Sequence, residues 1–273
     1  MLSRIHGPYD SQNPVGDEES GEKGVATLKK SHWCRVLPIF NDEAAYNLKR
    51  HKYSGCDEGL LYIWFYNPVA NKLVTYLPDW IAPNLITLVG FIHTIVPLVV
   101  LFTIADFDLL GEVPNWFFFF QAWCYFAYRM LDEMDGKQAR RTQNSSPLGL
   151  IFDHGCDAFS TGLQALTALR TMQCGNNFLA YAMVVQGLGA FHFTTLEEYY
   201  VGTLKLPVCN AVSDGSLLII AMYIVTGVMG NGIWVLTVCD GTWLNIDGIT
   251  DLTLGQLVIA VMCLMSSFIM IGK

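Results

Sequence analysis

Four tracts of this chain, 81–105, 171–196, 215–239 and 252–272, contain no Asp, Glu, Lys or Arg. Each is close to the roughly 20 apolar residues that an α-helix needs to cross a bilayer. Apolar character continues between the first two tracts, interrupted by a few acids and bases. The pattern predicts six spans, at about 84–105, 114–135, 148–171, 177–198, 215–236 and 253–272. Ahead of them the texture changes. Residues 1–41 are polar, with Asp17, Glu18, Glu19 and Glu22 followed by Lys29, Lys30 and Arg35, and without an apolar period they predict a loosely ordered arm. Over 42–80, Glu43, Ala44, Ala45 and Leu48, then Leu60, Leu61, Ile63, Trp64 and Phe65, predict one or two short amphipathic helices on the bilayer surface. Trp80 and Pro83 mark the turn into the first span. The expected fold is therefore all-α: a polytopic membrane helical bundle of six helices over 81–273, preceded by interfacial helices. The first apolar tract begins too late for a secretory h-region, and the N-terminus lacks an Arg-rich, acid-poor transit pattern.

Composition supports this reading, since 52% of residues are hydrophobic and only 15% charged, proportions foreign to a soluble domain. A net charge of -8 with no basic stripe argues against nucleic acid as a partner. The distribution of charge orients the chain. The segments 106–113, 172–176 and 237–252 hold Asp106, Asp108, Glu112, Asp240, Asp247 and Asp251 but no Lys or Arg. Of the 16 basic residues, all except Arg129 and Arg170 fall on the opposite side, which places the N-terminus in the cytosol. Asn144-Ser145-Ser146, a glycosylation sequon, then faces the cytosol and is expected to stay unmodified. The eight cysteines are scattered singly and read as small apolar residues. A Cys174–Cys239 bridge is one that the topology permits.

The second and third spans break the hydropathy pattern. Asp132, Glu133 and Asp135 close one, and Asp153 and Asp157 lie inside the next. An ionised Asp near the centre of a spanning helix costs roughly 2.5–3.5 kcal/mol, so several together imply a compensating partner. Asp132 and Asp135 are three residues apart and Asp153 and Asp157 four, so each pair shares a helix face and the pairs can converge. Facing carboxylates repel unless neutralised, and Mg²⁺ or Mn²⁺ suits carboxylate oxygen, which points to phosphate chemistry. The competing explanation is that these acids sit at helix ends and pair with Arg129 and Arg140. Gly136 and Ala139, one turn apart, let either a nucleotide or a neighbouring helix approach the backbone; spacing leaves both open.

Written out, Asp132-x-x-Asp135-Gly136-x-x-Ala139-Arg140, then Gly149, Asp153 and Asp157, matches in full the D-x-x-D-G-x-x-A-R-x8-G-x3-D-x3-D signature of the CDP-alcohol phosphotransferase family. Gly136-Lys137-Gln138-Ala139-Arg140-Arg141-Thr142, Phe152-Asp153-His154-Gly155-Cys156-Asp157, Asn47-Leu48-Lys49-Arg50 and Pro83-Asn84-Leu85-Ile86-Thr87 resemble its eukaryotic choline and ethanolamine branch. The resemblance spans roughly 42–215.

It implies that Asp132, Asp135, Asp153 and Asp157 hold two Mg²⁺ or Mn²⁺ ions on the diphosphate of CDP-choline or CDP-ethanolamine. Asn84, Gly136, Lys137, Ala139, Arg140 and Gly149 would line the nucleotide site, with Arg140 and Lys137 offsetting phosphate charge. A diacylglycerol hydroxyl would be the acceptor, deprotonated by His154 with help from Asp214, where relatives carry Glu; Asp157 is the rival base. Glu197, Glu198, Tyr199 and Tyr200 read first as an interfacial aromatic belt, and second as a cluster that selects the alcohol. Leu150 stands where relatives commonly have Glu. The branch carries more spans than the six found here, which match the minimal core of bacterial relatives. Endoplasmic reticulum is the membrane implied, with the mitochondrial membrane as alternative and the active site cytosolic. A homodimer, or a larger membrane complex, is the expected assembly. Two other classes compete: a silent paralogue serving as a structural, lipid-binding subunit, against which the intact signature argues, and an ion or proton transporter, which would need broken helices or repeats.

Overall fold

The computed structural model describes residues 54–105, 109–208, 210, 212–237 and 252–271. The polar arm, the first part of the predicted surface segment, Asp106, Asp108, Asp240, Asp247, Asp251 and Cys239 lie outside the described residues. Seven α-helices form among them: α1 (Asn67–Val74), α2 (Pro83–Ile104), α3 (Asn115–Arg141), α4 (Pro147–Thr171), α5 (Phe178–Val201), α6 (Asp214–Met229) and α7 (Leu254–Ile271). A π-helical turn over Tyr62–Tyr66 leads into α1, and a two-stranded parallel sheet pairs β1 (Gly55–Asp57) with β2 (Leu204–Leu206).

Local chemistry sets the helix ends. Pro83 and Pro147 occupy the first turns of α2 and α4, where a missing N–H is harmless. Ser146 caps α4 by accepting the Gly149 N–H at 3.1 Å, and Asn177 caps α5 by accepting that of Ala180 at 3.0 Å. Gly202, with φ 75°, ends α5 in the left-handed region. Two ends differ from expectation. α3 runs on to Arg141 instead of stopping near 135, because Glu133 pairs with Arg129 and with Lys137 four residues away on either side and the last turn carries Arg140 and Arg141. α6 stops at Met229 instead of 236, because Gly230 at φ 81° turns the chain into the 3-10 turn Asn231–Val235.

Helix α3 is central, packing on α1, α2 and α6; α4 packs on α2 and α5, and α5 on α7. Phe117, Phe118, Leu169 and Tyr223 are fully buried, while Leu88, Ile92, Val99, Trp123 and Phe178 face outward. Polar rungs cross the apolar interior. Ser160 meets Thr94 at 3.2 Å between α4 and α2, Gln121 donates to Gln164 at 3.1 Å between α3 and α4, and Thr167 meets Tyr223 at 3.2 Å between α4 and α6. α2 and α5 are long and apolar enough to cross a membrane by length and composition. The described parts of α6 and α7 are shorter apolar helices. Cys174 is buried as a free thiol.

Close approach of the start of α7 to the end of α4 depends on Gly255, where an added Cβ would overlap the backbone carbonyl of Met172. Gly255→Val is expected to lower the thermal unfolding midpoint of the purified protein, by an overpacking energy of about 1–3 kcal/mol. Gly232→Ala, which meets open space, is expected to have no comparable effect.

The sheet was not anticipated. Around it, both Asp57 oxygens are used: Oδ1 accepts from the Gly59 N–H at 2.7 Å and from Asn210 Nδ2 at 2.9 Å, and Oδ2 from the Ser213 hydroxyl at 2.5 Å. Tyr66 and Ser216 share a hydroxyl hydrogen bond at 2.8 Å. The surface segment is thereby latched to the start of α6.

Candidate functional site

Helix spacing puts Asp132 and Asp135 on one face of α3 and Asp153 and Asp157 on one face of α4. Three of them converge. Asp132, Asp135 and Asp153 each present a carboxylate oxygen, and these oxygens lie within 4.8 Å of one another. Asp157 is not in that trio; its Oδ1 accepts the buried Tyr128 hydroxyl at 2.7 Å. Thr87 of α2 donates to Asp135 Oδ2 at 2.5 Å, and Arg129 pairs with Asp132. One oxygen stands apart: Asp153 Oδ1 is buried and has no hydrogen-bond partner among the described residues.

The available cations do not balance this cluster. Arg129 divides itself between Asp132 and Glu133, the latter at 3.3 Å, and Lys137 also reaches Glu133 at 3.3 Å. Among the described residues, no Lys or Arg lies within salt-bridge distance of Asp135, Asp153 or Asp157. Among the four aspartates, the competing explanation by arginine pairing therefore holds for Asp132 alone. A donor set made only of carboxylate oxygens, three of them convergent and one orphaned, fits a hard divalent cation.

Of the other predicted positions, Asn84 and Gly149 meet where the N-termini of α2 and α4 come together: a Cβ at Gly149 would lie 3.3 Å from Asn84 Oδ1. Arg140 is exposed and folds over Gly136, 3.4 Å from where a Cβ would be. Ala139 is half-buried beside them. Lys137 is placed differently from the phosphate role expected of it, buried against Glu133 with its ammonium 5.5 Å from the centre of the Tyr62 ring. His154 lies on α4 with Nδ1 4.0 Å from Glu198 Oε2, its ring edge-on to Phe191. Asp214 has both oxygens on backbone amides, Oδ1 on Leu61 N at 2.9 Å and Oδ2 on Asn210 N at 3.2 Å.

Sequence reasoning missed Tyr128, Thr87 and Glu198 in these positions. Tyr128 lies one turn before Asp132 on the acid-bearing side of α3, and that spacing was the available signal. Tyr128→Phe keeps the ring and removes the donor to Asp157. It is expected to lower metal affinity or turnover about 10–100-fold, the usual penalty for losing a partner of a metal-binding carboxylate, read by titrating Mn²⁺ against activity.

Comparison with known proteins identifies the family. Residues 80–243 match the family model described as CDP-alcohol phosphatidyltransferase. The chain is 36% identical over 200 residues to an uncharacterized CDP-alcohol phosphatidyltransferase class-I family protein of Dictyostelium discoideum, covering 73% of this chain and 48% of that one. It is 36% identical over 187 residues to choline/ethanolaminephosphotransferase 2 of Arabidopsis thaliana, covering 68% and 47%. With cholinephosphotransferase 1 of Danio rerio the identity is 36% over 192 residues, covering 68% and 48%. The chain thus spans about half the length of the curated relatives it matches. The matched family is membrane-embedded and dependent on divalent metal, in keeping with the apolar helices and the aspartate trio. On the matched segment and the carboxylates it contains, the chain belongs to the CDP-alcohol phosphatidyltransferase family.

Proposed function

We propose that the chain transfers phosphocholine or phosphoethanolamine from the CDP-alcohol to diacylglycerol and releases CMP, with α2 to α7 as six membrane spans and the site facing the cytosol. Endoplasmic reticulum is the membrane proposed. The single observation that carries the reading is the orphaned Asp153 Oδ1 beside two convergent carboxylates, in a chain whose relatives include choline/ethanolaminephosphotransferases. The oxygen of the lipid hydroxyl forms a bond to the phosphorus that bears the alcohol. The bond from that phosphorus to the bridging oxygen breaks, and CMP leaves. The hydroxyl proton passes to His154, with Asp157 as the other group in reach of the role.

Asp132, Asp135, Asp153 and Asp157 would hold two Mg²⁺ or Mn²⁺ ions, which would offset the negative charge of the diphosphate and of the transfer step. Thr87, Tyr128 and Arg129 orient those carboxylates from behind. Gly136, Ala139 and Gly149 keep side-chain bulk off the backbone where the nucleotide would lie, with Arg140 against Gly136 and Asn84 against Gly149. Lys137 supports the site through Glu133.

Purified protein incubated with CDP-choline or CDP-ethanolamine, diacylglycerol and Mg²⁺ or Mn²⁺ is expected to release CMP and form the phospholipid. Transfer that persists undiminished in chelator, or none with either nucleotide, rejects the reading; the second result is what a silent structural paralogue would give.

A further inference from the structure

We infer that Glu198, in the last turn of α5, is the positioning residue that orients His154, a part that the family resemblance assigns to Asp214; the inference rests on the function proposed above. Asp214 is already committed. Its two oxygens accept the N–H groups of Leu61 and Asn210, so it holds the surface segment to the start of α6. A carboxylate that does approach the imidazole is Glu198, with Oε2 4.0 Å from His154 Nδ1. Both side chains are largely shielded, at 24% and 15% exposure, so their mutual field is stronger than it would be in open water.

Two features of α5 favour a held ring over a chance approach. Phe191 and Glu198 are seven residues apart and therefore share a face, and Phe191 meets the imidazole edge-on at 6.5 Å between centroids. The aromatic wall limits ring rotation while the carboxylate selects which nitrogen carries hydrogen. A gap of 4.0 Å exceeds a direct hydrogen bond and has the length bridged by one water or closed by a rotamer change. A carboxylate on the Nδ1 side keeps the proton on Nδ1 and leaves the Nε2 lone pair to receive the hydroxyl proton of the acceptor lipid. The hydroxyl proton ends on Nε2, and CMP carries away the electrons of the broken P–O bond. Sequence distance hid this arrangement, because nothing in residues 197–200 distinguishes an interfacial acid from one that reaches across to α4.

The test uses the full chain in lipid nanodiscs. Glu198→Gln is expected to lower kcat about 10–100-fold with KM for the CDP-alcohol little changed, and Glu198→Asp to recover part of the loss. In a His154→Ala background, Glu198→Gln should add nothing, a non-additivity that a purely structural role would not produce. Independently of turnover, ¹⁵N-histidine NMR, with His154 assigned through its loss in His154→Asn, is expected to show the Nδ1–H tautomer, lost in Glu198→Gln and retained in Asp214→Asn. If wild-type protein transfers no headgroup, the proposed function fails while the spectra still decide the pairing. A tautomer signature indifferent to Glu198→Gln, or multiplicative effects in the double variant, overturns the inference.

Discussion

Asp153→Ala is expected to lose headgroup transfer by more than about 10³-fold, beyond the roughly 10–100-fold typical of losing a residue that merely supports a metal ligand. The other three carboxylates each have a protein partner: Thr87 for Asp135, Tyr128 for Asp157 and Arg129 for Asp132. Asp153 alone presents a buried oxygen without one. That Oδ1 is therefore open to a ligand from outside the described chain, while the carboxyl group lies within 4.8 Å of those of Asp132 and Asp135. Stability should move the opposite way. Removing a shielded, uncompensated carboxylate relieves the apolar surroundings, so in chelator Asp153→Ala is expected to unfold at a higher temperature than wild type. CMP release and a thermal unfolding curve on the same preparation check both halves. Activity near wild type, or an inactive protein that has also lost its fold, would count against the assignment.

Arg129→Met should do the reverse and destabilise the metal-free protein severely, by roughly 3–5 kcal/mol, the range for breaking a buried ion pair from one side. Arg129 is 4% exposed and forks between Asp132 and Glu133. Glu133 keeps Lys137 when the arginine is gone, so the uncompensated charge falls on Asp132. A divalent ion held at Asp132 would supply the positive charge that the arginine supplied. Saturating Mn²⁺ is therefore expected to restore a larger share of the unfolding midpoint in Arg129→Met than it adds to wild type. Equal increments in the two proteins would show that Asp132 and the ion do not meet.

Much of the fold was legible because its strongest signals are local. Charge-free tracts located α2 and α5, and the span predicted at about 148–171 falls on α4, Pro147–Thr171. Hydropathy ended α3 too early, since the same charges that lower hydropathy beyond Asp132 form i, i+4 pairs that extend the helix. The β1–β2 pair was invisible: three residues in each strand, about 150 positions apart, leave no alternating pattern to detect. At the site, fixed spacing announced the four aspartates, because side chains three and four apart on a helix share a face whatever the tertiary context. Contacts between helices carried no such marker. Thr87 on Asp135, Lys137 withdrawn to Glu133 and Tyr62, and Glu198 at His154 depend on which faces meet, which one-dimensional spacing does not encode.

Anomalous scattering from crystals of the full chain grown in Mn²⁺ bears most directly on whether the acidic faces of α3 and α4 exist to hold metal. Two peaks roughly 3.5–4 Å apart, bounded by Asp132, Asp135, Asp153 and Asp157, are predicted, with Asp153 Oδ1 as one of the ligands. Saturating Mn²⁺ that leaves this space without a peak, or side chains of Asp135 and Asp153 turned away from each other, would contradict the account.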